Sequence, residues 1–566
     1  MVGVAGKSQA CNTCRERRLK CDLRRPFCRK CAKAKRECTG YDRGNRIFVN
    51  RSPSSPSTNA AEILSKKPHQ YQPSPANPGP TAEEADMLYR LFRRSDISDD
   101  NSPQKFRKCA VGLLKATYLP NQHVTHAENT RQGSFSWVYG LEDLDKPSRS
   151  LDTALFAFCI TQLHVTRTGG GNTSLYECLD TYNTALQYLA SDLDAPDRLA
   201  REETIAAILV LSIHELFVSP RQNGWSIHAR GITEILRLRE PGKSKSPAWR
   251  HLTTRMRVLC TLEALTKRQG QILLDNDIWR QIVHESGFNG ALDEVYHMIG
   301  DVPTMLGQAA TLSFIADANV LLNESAIVVR DMLAIVDIIE AWHDAFWKAA
   351  PTNTPRYRLV PSTAINPADR NGDGGEDKVF PYCFEFESLN VGVPIVMCWA
   401  VIAQLYSNII QICELVELRL GYPHRIALGA LLARIDDTNA SSVDMSSLPL
   451  AAAATSNKKN MSIDNIASEG TRMARYVCQS LEYYHRVEMG TYGGHSTTYP
   501  CWSARQYFRL HAGHEREEAW VRNIHNMKGP GTRWGLSMMT FADVAEPLGS
   551  RFQNQPSGVP SFGEAG

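Results

Sequence analysis

The sequence lacks most of what marks an exported or catalytic chain. Its opening Met-Val-Gly-Val-Ala-Gly-Lys is too short and too soon basic for an export signal. No Gly-x-Ser-x-Gly elbow occurs, which excludes that form of hydrolase nucleophile, and Gly169-Gly170-Gly171 is not followed by Lys-Ser/Thr, which excludes a phosphate loop there. Alternating strand patterns are scarce and no βαβ rhythm appears, so a doubly wound sheet is excluded. Net charge is also nearly absent, because 63 Lys+Arg against 60 Asp+Glu leave a formal +3.

That small sum hides a strong asymmetry. Residues 1–50 carry 14 Lys+Arg against 4 Asp+Glu, a formal +10, so the remaining residues are net −7. Within the basic end six cysteines stand at 11, 14, 21, 28, 31 and 38, reading C-x2-C-x6-C, a six-residue gap, then C-x2-C-x6-C again. Two tetrahedral zincs with separate thiolates would need eight, so six suffice only if two thiolates bridge both metals. The repeat makes Cys11/Cys28, Cys14/Cys31 and Cys21/Cys38 equivalent pairs, and a bridging pair should be one of them. Six thiolates and two zincs contribute −2, leaving about +8 on a module too small for any but an electrostatic use of it.

The gaps between cysteines point to nucleic acid. Arg15-Glu16-Arg17-Arg18-Leu19-Lys20 and Ala32-Lys33-Ala34-Lys35-Arg36-Glu37 lack Gly and Pro and each suits one or two turns of helix. Pro26, in the joining loop Asp22–Phe27, suits the turn that brings the halves together. A disulfide framework disagrees with the other nine cysteines, which are scattered singly as in a reducing compartment. A metal sink would not need Arg and Lys in every gap.

Residues 11–38 resemble the fungal zinc binuclear cluster DNA-binding domain in all six cysteines, both spacings and the run Arg18-Leu19-Lys20-Cys21-Asp22. The resemblance implies that Cys11 and Cys28 bridge, with Cys14 and Cys21 completing one zinc and Cys31 and Cys38 the other. It also implies that the first short helix enters the major groove over a CGG-type triplet. Arg18 stands where the family often has Lys, and its guanidinium can bond guanine O6 and N7 in bidentate fashion. Arg15, Arg17 and Lys20 are the expected supporting DNA contacts.

After Cys38 the composition changes. Residues 39–80 hold seven prolines between positions 53 and 80 and read as a flexible linker. No sustained heptad follows; Ile63, Leu64 and the short amphipathic stretch Thr81–Arg94 are too little for a zipper, so dimerisation beside the zinc module has no support. Residues 81–545 read as a large all-α domain, with helical apolar segments at Leu151–Val165, Ser174–Leu189, Glu202–Val218, Trp225–Leu238, Leu312–Leu322, Ala326–Trp347, Val391–Leu420 and Arg472–Tyr484. Its length suggests subdomains. Segments 351–378 and 436–464 read as loops, and 546–566 as a disordered tail. Trp225-x2-His228-x2-Gly231, Ile235-Leu236, Arg239-Glu240-Pro241-Gly242, Met489-Gly490 and Gln506-Tyr507-Phe508 resemble the helical regulatory domain that follows the cluster in many fungal transcription factors, over two short windows.

Three patterns invite other chemistry and are set aside. Asp369-x-Asn371-x-Asp373-Gly374 starts like a calcium loop, but Phe380 stands where a bidentate Glu is needed. Val391–Cys413 has no charged residue and could span a bilayer, yet Gln404, Asn408 and Gln411 fall on one face, so a buried core helix is expected and no membrane. His511-x2-His514-Glu515 fits no zincin spacing and reads as a solvated helix face. The expectation is a nuclear, sequence-specific regulator of RNA polymerase II genes. Its partners would be double-stranded DNA with CGG-type half-sites, transcription machinery or co-regulators, and, left open, a small-molecule effector. The competing reading is a zinc-stapled receptor or enzyme whose helical part carries its own activity.

Overall fold

The computed structural model describes residues 14, 21, 29–34, 80–94, 102–121, 135–166, 175–218, 224–238, 246–268, 290–349, 355–369, 377–426, 428 and 463–534. Two compact units divide the chain, Met1–Gln72 and Pro73–Gly566. In the first, a helix runs over Arg29–Lys33 (α1).

Among its described residues the second unit is largely helical. In chain order its helices are Ala82–Arg94 (α2), Ser102–Thr117 (α3), Ser136–Gly140 (α4), Arg149–Thr166 (α5), Leu175–Leu193 (α6), Pro196–Leu199 (α7), Glu202–Val218 (α8), Gly224–Leu238 (α9), Pro247–Lys267 (α10), Ala291–Met298 (α11), Val302–Thr311 (α12) and Ala318–Lys348 (α13). A two-stranded antiparallel ribbon of Tyr357–Pro361 (β1) and Tyr382–Phe386 (β2) follows. Then come Leu389–Leu420 (α14), Ile463–Tyr484 (α15), Gly490–Ser496 (α16), Thr498–Leu510 (α17) and Glu515–Arg522 (α18). The expected subdomains do not appear, because one hydrophobic cluster runs through the described part of this unit.

Local chemistry sets several boundaries. Thr81 and Glu84 cap α2 reciprocally: the Glu84 N–H donates to Thr81 Oγ1 at 3.2 Å and the Thr81 N–H to Glu84 Oε2 at 2.8 Å. Ser246 accepts from the Trp249 N–H at 3.0 Å with Pro247 just inside α10, and Arg268 ends that helix at φ 54°. The expected helix Leu312–Leu322 is interrupted. A 3-10 turn over Leu312–Phe314 gives way to extended Ile315, and Asp317 starts α13 by accepting from the Val320 N–H at 2.9 Å. A short carboxylate competing for backbone donors overrides apolar periodicity here.

The segment expected to be a loop over 351–378 contains β1, whose partner β2 pairs Tyr357 with Phe386 and Pro361 with Tyr382. The Arg358 guanidinium donates to Glu385 across the ribbon at 2.6 Å. Of the other expected loop, 436–464, only Ile463 and Asp464 are described, and they begin α15. Helix α14 is the expected apolar segment, 32 residues long, and its most apolar 18-residue window is wholly buried. Gln404 accepts from the Tyr499 hydroxyl at 2.5 Å, and Asn408 and Gln411 donate to backbone carbonyls one turn back. The amide donors of this polar face are therefore bonded inside the core, while Asn408 Oδ1 is buried without a partner.

One ion pair anchors the first helices. Arg107 on α3 is fully buried and donates to Asp152 Oδ1 at 2.7 Å and to the Leu144 and Lys146 carbonyls at 2.7 and 2.9 Å. Burial pushes the Asp152 carboxyl up, and the Arg107 charge works against that rise. Asp152→Ala leaves the guanidinium buried without its carboxylate and is expected to cost about 3–5 kcal/mol, whereas Arg107→Met with Asp152→Leu recovers most of the loss. Urea midpoints of the helical transition measure both. Equal losses in the single and double variants would mean that the pair acts through shape rather than charge.

Candidate metal centre and nucleic-acid interface

Of the six candidate ligands, Cys14, Cys21 and Cys31 are described, whereas Cys11, Cys28 and Cys38 lie outside the described residues, as do the expected DNA contacts Arg15, Arg17, Arg18 and Lys20. Helix α1 begins two residues before Cys31 and ends inside the second six-residue gap, so only part of that gap is helical. It buries Cys31 at 4 % exposure and leaves Lys30 and Lys33 exposed. Sulfur inward and ammonium outward is the division that a metal-held, phosphate-facing module requires.

The described sulfurs lie close together without being bonded. Cys14, buried at 2 %, places its Sγ 3.7 Å from Cys31 Sγ. A disulfide would bring them to about 2 Å, whereas thiolates at ~2.3 Å from a tetrahedral zinc stand roughly 3.8 Å apart. Seventeen positions separate these cysteines, so the fold has brought one residue of each half-motif side by side. Cys14 and Cys31 are one of the three pairs that the repeat makes equivalent. The resemblance assigns them to neighbouring zincs rather than to one. Among the described residues no group of three or more His, Cys, Asp or Glu side chains is placed to hold a metal.

The family described as the fungal Zn(2)-Cys(6) binuclear cluster domain matches residues 9–46. The chain carries this domain at its N-terminal end. An uncharacterised transcriptional regulatory protein of Schizosaccharomyces pombe is 61 % identical over 31 residues, and so is the transcriptional regulatory protein moc3 of the same yeast; each match covers 6 % of this chain and 6 % of the relative. Transcription activator AMTR1 of Alternaria alternata is 68 % identical over 28 residues, 5 % of this chain and 4 % of the relative. No solved structure matches the chain. The similarity to these regulators covers about 30 residues, a few per cent of each relative's length.

The helical unit sorts the remaining candidates. Trp225 and Ile232 are buried on one face of α9 as expected, and His228 is half-buried, with burial holding its pKa down to about 4. Asp369 takes two backbone N–H groups, from Asn366 and Val379 at 3.0 Å each, so its carboxylate braces a turn. The other ligands of the calcium-like pattern, Asn371 and Asp373, lie outside the described residues. His511 and His514 correct the expectation of a solvated face. His511 Nε2 lies 2.9 Å from Ser407 Oγ and its ring 4.6 Å from that of Tyr507, and His514 Nε2 lies 3.3 Å from Thr471 Oγ1. Burial first, and then His514, lowers the His511 pKa to about 4. The charged run misled because only α18 presents Glu515 and Arg516 outward, while the two histidines precede it at a corner packed against α14 and α15.

Proposed function

We propose that the protein is a nuclear, zinc-dependent, sequence-specific DNA-binding regulator of RNA polymerase II transcription. The carrying observation is the doubled C-x2-C-x6-C with basic gaps, matched over residues 9–46 by the binuclear cluster family. In this reading Cys11, Cys14, Cys21, Cys28, Cys31 and Cys38 hold two zinc ions, with Cys11 and Cys28 shared. Arg18 contacts guanine in a CGG-type half-site from the major groove, and Arg15, Arg17 and Lys20 position the helix. Exposed Lys30 and Lys33 add phosphate contacts from the second half. The helical unit, on the net-acidic remainder of the chain, meets co-regulators or an effector and supplies no catalysis.

Arg18→Ala is expected to weaken binding to a CGG-containing duplex by about 1–3 kcal/mol and to blur preference at one guanine, while Lys33→Ala weakens all duplexes alike. Competition between CGG-containing and scrambled duplexes reads this. Equal losses on both for Arg18→Ala would confine that residue to phosphate contact.

A further inference from the structure

The helical unit holds a buried cation without a counter-ion. Of its deeply buried arginines, Arg107 faces Asp152 at 2.7 Å and Arg257 faces Asp293 at 2.9 Å. Arg255 on α10 is 6 % exposed, yet among the described residues no carboxylate lies within ion-pair distance of it. Its one hydrogen-bond neighbour is His495 Nε2 at 3.5 Å, and its Nε–H meets no acceptor. An unpaired guanidinium in a protein interior is among the costlier arrangements a fold can keep.

The groups around it are donors too. A guanidinium only donates, so His495 Nε2 must accept and the imidazole proton sits on Nδ1. In that tautomer the Nδ1–H donates to the Tyr118 hydroxyl oxygen, 2.7 Å away, and the phenolic proton is free to turn to another acceptor. Burial first, and the Arg255 charge second, hold His495 well below its ordinary pKa, in keeping with a neutral ring. Trp137, whose ring lies 6.2 Å from that of Tyr118, has a buried Nε1–H with no partner. Gln162 Oε1 accepts from the Thr491 hydroxyl at 2.6 Å, one helical turn from His495, and its Nε2 is likewise without an acceptor. Unpartnered donors thus stand on α4, α5 and α10, linked through Tyr118 after α3 and His495 and Thr491 of α16, with no carboxylate among these groups.

We propose that this cluster is an internal site for the anionic group, carboxylate or phosphate, of a small-molecule effector, with Arg255 as counter-charge and Tyr118 as second donor. The planar guanidinium suits either group in bidentate fashion. Because the groups of the cluster come from five parts of the fold, occupancy ties those parts together and can bias the helical unit between states of different partner affinity. The site is independent of the DNA-binding reading, so failure of either leaves the other standing.

Thermal unfolding of the full-length, zinc-loaded protein at neutral pH tests it, with sodium benzoate and inorganic phosphate as probes and sodium chloride at matched ionic strength as control. A saturable rise in the Tm of the helical transition is expected with at least one probe, benzoate alone marking a carboxylate site and phosphate alone a phosphate site. Arg255→Met should abolish that response and raise the probe-free Tm by roughly 2–4 °C, because it removes an uncompensated buried charge. Tyr118→Phe should raise the half-saturating concentration roughly tenfold. No saturable shift with either probe would mean that water satisfies these donors, and equal shifts in wild type and Arg255→Met would be a bulk salt effect; either overturns the site. Should Arg255→Met fail to fold, an unchanged half-saturating concentration in Tyr118→Phe overturns it instead.

Discussion

Stripping zinc from the full-length protein is expected to abolish sequence-specific DNA binding while leaving the cooperative unfolding of the helical unit intact. Between Cys11 and Cys38 the only sizeable apolar side chains are Leu19, Leu23 and Phe27, far too few for a core. Burying Cys14 and Cys31 side by side recovers little, and drawing so many cationic side chains together costs electrostatic energy. Metal binding, worth about 10–16 kcal/mol per structural zinc in small modules at neutral pH, must therefore supply the folding free energy. Metal analysis of the intact protein should give two zinc ions per chain, and dialysis against a chelator should remove both together with affinity for a CGG-containing duplex. One ion per chain would refute the shared-thiolate cluster. Retained specific binding after complete removal would mean that zinc is not what holds the recognition helix. The helical unit serves as internal control, since its hydrophobic core is built without a metal centre among the described residues.

Lowering the pH from 7 to 5 is expected to destabilise the helical unit by something on the order of 9 kcal/mol, a change carried by the depressed rings of His214, His228, His485, His495 and His511. His214 is completely buried, lies 2.9 Å from Thr161 Oγ1 and stacks on Tyr182 at 4.8 Å; burial, with a smaller push from His228, lowers its pKa to about 3. His485 stacks on Trp534 at 4.6 Å and donates from Nδ1 to the Leu481 carbonyl, and burial outweighs that bond to leave its pKa at about 4. His495 is held low by burial and Arg255. In each case the folded-state pKa lies below the unfolded value near 6.5, so the unfolded chain binds more protons in acid. The stability is fully present above about pH 6.5 and falls as pH drops toward the folded values, by up to about 1.4 kcal/mol per unit for each ring. Below the ordinary carboxylate range Glu482 adds to the loss. Burial pushes it up, but its hydrogen bonds from Thr363 and Ser362 outweigh that and hold it lower. Urea midpoints at pH 7, 6 and 5 give the slope. A curve flat to pH 5 would show that these rings can charge in place, and His214→Gln should flatten the slope by about a fifth if they cannot.

How much of this was legible in the sequence depends on how local each signal is. The cysteine spacing, the basic gaps and the proline-rich stretch are each complete within a few dozen residues, and metal coordination uses residue type and spacing almost directly. Helix α14 was equally plain, because 23 positions without a charge leave a helix only two environments, and polar Gln404, Asn408 and Gln411 on one face favoured a protein core over lipid. The β1–β2 ribbon was not legible. Its strands are short and lie 20 residues apart, and strand pairing is a non-local choice that Tyr357, Phe384 and Phe386 make only once they can pack on Trp399. Periodicity likewise missed α10, whose sequence Trp249-Arg250-His251-Leu252-Thr253-Thr254-Arg255-Met256-Arg257 mixes charge into what would otherwise be an apolar face.

That last helix separates the two kinds of knowledge. By itself the sequence determined a six-cysteine cluster domain at a basic end and a helical remainder, because cysteine chemistry, net charge and apolar periodicity act over short stretches of chain. Which of the cations at 250, 255 and 257 point outward, which is neutralised and which is not was decided only by tertiary structure. Arg250 is exposed, Arg257 turns inward onto Asp293 from α11, and Arg255 turns inward onto His495 from α16, 240 residues away. A charged side chain's environment is set by whatever the fold brings opposite it, and in an interior of low dielectric that partner decides whether the charge is a brace or a vacancy for an anion.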